Sequence, residues 1–473
     1  MRYFLFSILF LALISSLSVS APAQARRVNP NNINQTDELS ELAAKDLYEE
    51  ANSYTKKKFA EFESKKLPYS DTLFRQTVQE HKQLAAKNAA VLIRRENLAD
   101  EDLYYLGMLN WMAENADNAA ENLQKFLASE NTASEKLQTA RSVVIVLSAR
   151  RKNFDTAEKF LVEYLNTDPV KLSELARMES EFAAAYRDEK NFEKAAAHAE
   201  QAYRATKAVF KDSRSRARGL DDIFDTGMTA FEIYKAAKKQ KEADTTLEDL
   251  RKTGAFVESS NLYFRAIDEK IKYLIDTKRK PEALVYYQTA LAQSAKDFTA
   301  KPLRDDVARR MKRRESQYRM LGEKAPELTD VDRWLDGTPH SLENLRGKVV
   351  LLDFWATWCG PCIESFPELI EWHQNYKSEG LEILGVTRYY GEAGGAKVDK
   401  TTEIEFLRRF KKTHRLPYSF VISKDTTNQI VYGASSIPTM VLIDRQGVVR
   451  YLQTGAGRAD EIREKIEELL AEK

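Results

Sequence analysis

The chain has few of the residues that cross-link small exported domains or bind metal ions. Its 473 residues include two cysteines, five histidines, 12 prolines and 17 glycines. One pair of cysteines cannot supply a framework of disulfides, which needs several bridges. The formal net charge is only +1, from 73 basic and 72 acidic residues. This balance argues against a nucleic-acid partner, because nucleic-acid binding requires a basic surface.

A single long apolar run is present, and it lies at the N-terminus. Arg2 precedes an apolar stretch from Tyr3 to about Val19, and Ala23-Gln24-Ala25 supplies the small residues that signal peptidase requires. We predict a signal peptide over residues 1–25, cleaved after Ala25, and a flexible linker over residues 26–37. The alternative is that the segment stays as a membrane anchor. No later run approaches the about 20 apolar residues of a membrane span, so we expect an exported protein in the periplasm or another extracytoplasmic space.

Residues 38–320 contain few glycines and prolines and many Ala, Leu, Glu, Lys and Tyr residues, which predicts an all-α region. A short motif that begins with Asn and ends with Ala recurs there every 38 residues, at Asn115–Ala119, Asn153–Ala157 and Asn191–Ala195. Each Asn is predicted to mark the turn into the second helix of a hairpin, where the Ala allows close packing. Weaker copies end at Ala243 and Ala283.

These repeats resemble tetratricopeptide repeats, although their period is longer than the usual 34 residues. The resemblance implies stacked helix pairs that bind a protein partner or position another domain. An irregular helical bundle is the alternative, because its core needs the same small and aromatic residues.

Both cysteines lie in a Cys-Gly-Pro-Cys motif that follows the apolar run Val349–Phe354. The first thiol is therefore predicted at the junction of a strand and a helix, where the helix dipole favours a thiolate. Cys359 is the expected nucleophile, and Cys362, three residues later, is expected to resolve a mixed disulfide. Pro361 has no backbone N–H, and a helix does not use that donor in its first turn. Gly360 has no side chain, so another backbone can approach the sulfurs.

Two other interpretations of the cysteine pair are weaker. A structural zinc ion needs four ligands, and only His340, His373 and His414 accompany the pair in this half of the chain. An inert disulfide across so short a loop would reduce the conformational entropy of the unfolded chain only a little, and it would therefore stabilise the fold little. We therefore predict no metal site and no cofactor other than the redox-active pair itself.

The stretch from Asp353 to Cys362 resembles the active-site segment of thioredoxin, and Ile437-Pro438-Thr439 resembles the second signature of that fold. The resemblance implies a cis peptide before Pro438, with Ile437 free to pair with an extended substrate. It also implies that Asp353 is a buried acid that handles the proton of the resolving thiol. Substrate contacts are further expected at Trp358, Gly360 and Pro361.

The residues before the motif are similar to those of one subgroup, the TlpA/ResA-like extracytoplasmic thioredoxins. The similar segments are Ala325–Leu328, Asp336-Gly337, Ser341-Leu342 and Leu345–Lys348. Where many members carry Glu three residues after the second cysteine, this chain has Ser365, and the neighbouring Glu364 is not assigned that role. The resemblance implies an α/β thioredoxin-like domain over residues 325–473, with a mixed central sheet flanked by helices. The whole chain is thus expected to be multi-domain.

Apolar periodicity predicts the main elements of that domain. The expected strands and helices are Val349–Phe354, Cys359 to about Lys377, Leu381–Val386, Glu403–His414, Met440–Ile443, Val448–Leu452 and Glu461–Ala471. The loop from Thr387 to Thr401 is long for this fold. It is either a solvated insertion or a mobile flap over a partner groove.

By resemblance, the protein is expected to be a thiol-disulfide oxidoreductase that acts on disulfides or thiols of protein partners. Reduction is the expected direction, since Gly-Pro between the cysteines, Ile437 and Asp353 resemble reducing thioredoxins. An oxidising compartment then implies a membrane protein that supplies electrons, and apocytochrome c thiols are one candidate substrate. The alternatives are an envelope adaptor whose helical repeats are the main functional unit, with a redox-sensing domain, and a peroxiredoxin-like antioxidant.

Overall fold

The computed structural model describes residues 42–68, 70–95, 97–129, 134–210, 219–336 and 339–472. The predicted signal peptide and linker lie outside these residues. Within the described ranges, no helix combines the length and apolar character needed to cross a bilayer. The chain divides into two compact units, residues 1–246 and 247–473. The division falls inside the helical region, whereas the predicted domain bounds of 38–320 and 325–473 remain a prediction.

Helices form the described part of the first unit. Their bounds are α1 (Ala44–Ser64), α2 (Asp71–Leu92), α3 (Asp100–Met112), α4 (Ala116–Leu127), α5 (Ser134–Arg150), α6 (Phe154–Leu165), α7 (Leu172–Asp188), α8 (Phe192–Val209) and α9 (Leu220–Ala236). The division point lies within the next helix, α10 (Gln240–Phe256). The prediction of an all-α region is thus confirmed.

The Asn residues of the repeat mark the starts of the second helices, as predicted. Asn115, Asn153 and Asn191 are the N-caps of α4, α6 and α8, and each side chain accepts a hydrogen bond from the backbone N–H three residues later. An N-cap of this kind satisfies a donor that the first helical turn leaves unpaired. The residue before each cap has a positive φ, near 60°. The tight turn therefore fixes where each hairpin reverses.

The repeated Ala residues lie in the interior of the helical region, on the second helix of each pair. Ala119, Ala157 and Ala195 are fully buried, as are the corresponding residues of the weaker copies, Ala243 and Ala283. A larger side chain at these positions would push the two helices apart. The 38-residue sequence repeat therefore corresponds to a repeated buried position in the structure. Its relationship to tetratricopeptide repeats remains a prediction.

The second unit contains three long helices followed by a sheet and its flanking helices. The helices are α11 (Ser260–Asp276), α12 (Lys280–Asp297), α13 (Lys301–Met320), α14 (Gly360–Glu364), α15 (Phe366–Tyr376), α16 (Lys400–Thr413), α17 (Thr427–Val431) and α18 (Ala459–Ala471). The strands are β1 (Val331–Leu335), β2 (Val349–Phe354), β3 (Leu381–Arg388), β4 (Glu392–Ala393), β5 (Ala396–Lys397), β6 (Ser419–Ser423), β7 (Thr439–Ile443) and β8 (Val449–Thr454).

Six strands form a mixed sheet in the order β1-β6-β3-β2-β7-β8, and β4 and β5 form a separate hairpin. The pairs β2–β3 and β3–β6 are parallel, and the other three pairs are antiparallel. The predicted mixed sheet is confirmed, and β2 has the bounds that its apolar run predicts. Strands β1 and β6 were not among the predicted elements, although the apolar run Phe420–Ile422 was a signal for β6.

Each face of the sheet packs into its own hydrophobic core. The disulfide-side core contains the two cysteines and alternate strand residues such as Leu351 and Ile383, together with residues of α15, α16 and α18. The helix-side core contains the intervening strand residues, such as Leu352 and Val386. Buried residues of α11, α12 and α13 belong to that same helix-side core, among them Ile271. These three helices therefore complete the core of the second unit, which explains why the chain divides before them.

Candidate active site

The site lies where the buried central strand β2 ends and α14 begins. All six residues of β2 are buried. Cys359 is the N-cap of α14, and its sulfur lies 3.3 Å from the backbone N of Cys362, which donates to it. This N–H belongs to the first helical turn, and it also donates to the carbonyl of Cys359 at 3.1 Å. A thiolate formed at Cys359 would therefore be stabilised by a backbone donor and by the helix dipole.

The two cysteines form a disulfide with an S–S distance of 2.08 Å. Cys359 is 4% exposed and Cys362 is 1% exposed. Cys359 is thus the slightly more exposed residue of the pair, which is the order expected for an attacking and a resolving cysteine. Gly360 and Pro361 are exposed beside the disulfide, and the space around the Gly360 α-carbon is open within 4 Å.

Asp353 is buried on the disulfide side of the sheet, 1% exposed. Alternation along β2 places it on the same face as Leu351, a member of the disulfide-side core. Neither carboxyl oxygen has a hydrogen-bond partner among the described residues. Burial raises the pKa of Asp353 from 3.8 to about 7. The carboxyl can therefore gain or lose a proton near neutral pH, as a proton carrier must.

On the neighbouring strand β3, a glycine opposite Asp353 leaves room for aromatic side chains. Gly385 is its partner on β3, and a Cβ atom there would lie 3.0 Å from the indole nitrogen of Trp355 and 3.1 Å from the ring of Phe420. The pKa of the Tyr418 hydroxyl is raised well above 10 by burial and by the charge of Asp353. Burial, with no hydrogen bond to either carboxyl oxygen, explains the cost of ionising Asp353.

The second signature also belongs to the site. The peptide between Ile437 and Pro438 is cis. Ile437 is partly buried and packs against the disulfide-side core that contains both cysteines. The carbonyl of Pro438 accepts a hydrogen bond of 2.8 Å from the N–H of Gly455, and the Thr439 hydroxyl donates to the carbonyl of Ser436 at 2.7 Å. The structure therefore brings Ile437 to the same core as the cysteines, and internal hydrogen bonds hold the loop that carries it.

An aromatic pair beside the disulfide includes one residue, Tyr390, that was not among the predicted site residues. Trp358 is 54% exposed, and its ring packs edge-on against Tyr390 with 5.4 Å between ring centroids. The guanidinium of Arg388 lies over the Tyr390 ring, 4.0 Å from its centroid. The buried carboxylate of Glu403 accepts hydrogen bonds from the N–H groups of Tyr390 and Gly391, at 2.7 and 3.0 Å.

These contacts anchor the first residues of the long loop, Tyr390 and Gly391, beside the disulfide. The rest of the loop forms the β4–β5 hairpin, whose turn residues are exposed. The two hydrogen bonds to Glu403 join residues that are 13 and 12 positions apart in the sequence. No local sequence pattern indicates them.

Among the described residues, no group of three or more His, Cys, Asp or Glu side chains could hold a metal ion. The chemistry that the site can support directly is exchange between thiols and disulfides at Cys359 and Cys362. A Cys-x-x-Cys pair at a helix start, beside a cis-proline loop on a mixed sheet, defines a thioredoxin-type redox centre.

Comparison with known proteins places this centre in a family. Residues 320–470 match the Redoxin family. The thiol-disulfide oxidoreductase ResA of Geobacillus thermodenitrificans is 32% identical over 149 residues, which are 32% of this chain and 78% of the relative. ResA of Bacillus subtilis is 31% identical over 134 residues, which are 28% of this chain and 67% of the relative.

A solved structure of a putative thiol:disulfide interchange protein DsbE from Chlorobium tepidum is 30% identical. The alignment covers 32% of this chain and 98% of that one, with a TM-score of 0.25. The chain belongs to the TlpA/ResA-like family of thiol-disulfide oxidoreductases within the thioredoxin superfamily. These matches cover about a third of the chain, so the helical repeats of the first unit are a feature outside the shared part.

Proposed function

We propose that this protein reduces disulfides of protein partners outside the cytoplasm, with Cys359 as the attacking thiol and Cys362 as the resolving thiol. The observation that carries the proposal is the pairing of a disulfide at a helix start with a buried acid whose pKa is about 7. The export signal predicted over residues 1–25 supports the location. The family of the matched relatives supports protein thiols and disulfides as substrates.

The reaction begins with the reduced protein. The Cys359 thiolate attacks one sulfur of the partner disulfide, which forms a mixed disulfide and releases the other partner sulfur as a thiolate. Cys362 then gives its proton to the Asp353 carboxylate and attacks the sulfur of Cys359. The second partner thiolate leaves, and the two partner thiolates take one proton from Asp353 and one from water. The partner has gained two electrons, and the protein is left with the Cys359–Cys362 disulfide.

Each turnover therefore requires a donor that returns two electrons to the disulfide. In an oxidising compartment we propose that a membrane protein with its own dithiol fills this role. Trp358, Gly360 and Pro361 are exposed around the disulfide, and Ile437 follows on the neighbouring loop. We propose that these residues contact the partner, and that the backbone of Ile437 pairs with an extended segment of it.

Two measurements on the purified protein test this proposal. The first is the reduction potential of Cys359–Cys362 in dithiothreitol or glutathione buffers. A value near −270 mV, roughly that of thioredoxin, supports a reductant, whereas a value near −120 mV, roughly that of a strong oxidant, contradicts the direction. The second is the reduction of insulin in the presence of dithiothreitol. We expect turnover by the wild type, none by Cys359→Ser, and an accumulated mixed disulfide with Cys362→Ser.

A second candidate function is an envelope adaptor that binds its partner through the helical repeats. The observation that favours it is the size of the repeat region, whose hairpins lie outside the part shared with the relatives. The Cys359→Ser variant separates the two functions in cells. Loss of the phenotype supports the oxidoreductase, whereas a wild-type phenotype supports the adaptor.

A further inference from the structure

Helix α13 ends just before the thioredoxin-like domain, yet one of its side chains contacts the loop that carries the cis proline. Gln317 is buried, and its side-chain amide donates hydrogen bonds to the carbonyl of Gly433, at 2.8 Å, and to the Thr454 hydroxyl, at 3.2 Å. Gly433 begins the segment that leads to Ile437 and Pro438, and Thr454 ends β8. The amide therefore joins two places that are distant in sequence.

Arg314, one turn earlier on α13, reinforces this contact. Its guanidinium donates to the Thr454 hydroxyl at 2.9 Å and to the side-chain carbonyl of Gln317 at 2.6 Å. The guanidinium also lies 3.9 Å from the buried carboxylate of Asp268 on α11. That carboxylate accepts a hydrogen bond of 2.6 Å from the hydroxyl of Tyr318. Arg314 is thus placed between a buried carboxylate of α11 and the side chain of Gln317.

The backbone of Gly433 approaches α13 so closely that no side chain fits between them. Its φ is +61°, and a Cβ atom would lie 2.7 Å from the Ser316 hydroxyl and 2.9 Å from Cγ of Gln317. A residue with a Cβ atom would be strained by this φ and would also clash with α13. The start of the loop therefore packs directly against the helix.

The other contact of Gln317 leads to the proline itself. Thr454 pairs with Thr439 in the β7–β8 ladder, and Thr439 directly follows Pro438. The next residue, Gly455, donates its N–H to the carbonyl of Pro438 at 2.8 Å. The segment from Gly433 to Pro438 is thus connected to α13 at both of its ends.

We infer that Gln317 and Arg314 are positioning residues, through which helix α13 sets the conformation of the Gly433–Pro438 loop that receives the substrate. The inference rests on the proposed reduction of protein disulfides. Without these contacts the disulfide keeps its chemistry, because neither side chain is placed at the cysteines. What is lost is the alignment of the Ile437 backbone with an extended substrate segment.

The test compares Gln317→Ala and Thr454→Val with the wild type as full-length proteins. Thr454→Ser keeps the hydroxyl and serves as the conservative rescue, and Arg313→Ala, at an exposed position of the same helix, is the matched control. We expect the KM for insulin to rise about tenfold in the first two variants, which is the factor that one buried hydrogen bond of ordinary strength supplies.

The kcat for insulin, the rate with the small disulfide 5,5′-dithiobis(2-nitrobenzoate) and the reduction potential should stay at their wild-type values. Thr454→Ser and Arg313→Ala should match the wild type in all four measurements. An unchanged KM in Gln317→Ala contradicts the inference. An equal loss with insulin and with the small disulfide also contradicts it, because that pattern indicates general destabilisation of the redox centre.

Hydrogen–deuterium exchange tests the inference without turnover. Faster exchange of the amides of residues 434–440 and of Gly455 in Gln317→Ala, but not in Arg313→Ala, supports positioning by α13. Wild-type exchange in Gln317→Ala overturns it. If the wild type fails to reduce insulin, the proposed function fails, while the exchange measurement still decides whether α13 positions the loop.

Discussion

Replacing Asp353 by Asn should stabilise the oxidised protein at neutral and alkaline pH and leave it unchanged in acid. Burial raises the pKa of this carboxyl from 3.8 to about 7. Below pH 4 the carboxyl is protonated in both the folded and the unfolded protein, and it contributes no pH dependence. As the pH rises from 4 to 7, the unfolded protein releases this proton while the folded protein retains it. The free energy of unfolding therefore falls over that interval.

The magnitude follows from the same pKa. A difference of one pKa unit corresponds to about 1.4 kcal/mol, so ionisation of Asp353 lowers the free energy of unfolding by about 4 kcal/mol above pH 7. Asn has nearly the same shape and no charge to bury. We expect the Asp353→Asn variant to be more stable than the wild type by up to that amount at pH 8, with the difference vanishing towards pH 4.

Guanidinium denaturation of the oxidised proteins between pH 4 and pH 8 measures this difference. Tryptophan fluorescence is a suitable probe, because four of the five tryptophans, Trp334, Trp355, Trp358 and Trp372, lie in the second unit. Glu364→Gln is the control, since it makes the same chemical change at an exposed position close to the disulfide. Its curve should stay within about 0.5 kcal/mol of the wild type. Parallel curves for Asp353→Asn and the wild type across the whole range would refute the reasoning.

Two further predictions concern contacts away from the sulfurs. Asn153→Ala removes an N-cap of the repeat and should lower the free energy of unfolding in urea by about 1 kcal/mol, whereas Asn153→Ser should restore most of it. An equal loss in both variants would show that the cap is not the cause. Glu403→Ala leaves two backbone donors without their buried acceptor and should cost about 2 kcal/mol. It should also change Trp358 fluorescence, because Tyr390 loses its anchor. Exposed Glu405→Ala is the control, and the same fluorescence change there would contradict the explanation.

The position of α11, α12 and α13 in the helix-side core has a consequence for the family relationship. The match to the Redoxin family begins at residue 320, the last residue of α13. Several buried residues of the preceding helices nevertheless share a core with the sheet, among them Ile267, Leu274 and Met311. A fragment that starts at residue 325 would expose this apolar surface to water. Experiments on the redox centre are therefore best done on the full chain.

Local patterns in the sequence determined much of the fold and of the candidate site. The apolar run Val349–Phe354 and the Cys-Gly-Pro-Cys motif placed the central strand and the helix start, because strand burial and helix initiation depend on residues that are close in sequence. The N-caps Asn115, Asn153 and Asn191 marked the hairpin turns for the same reason, since a cap acts within three residues. The burial of Asp353 also followed from its apolar neighbours.

Only the tertiary structure decided which distant segments meet. The contact of Arg314 with Thr454 spans 140 positions, and no property of either residue identifies its partner. The burial that raises the pKa of Asp353 likewise depends on how strands and helices pack around β2. Propensity, capping and periodicity act over one or two helical turns. Contacts between strands and helices depend instead on how the whole unit packs, and this is why the sequence located the redox centre but not the helix that contacts its cis-proline loop.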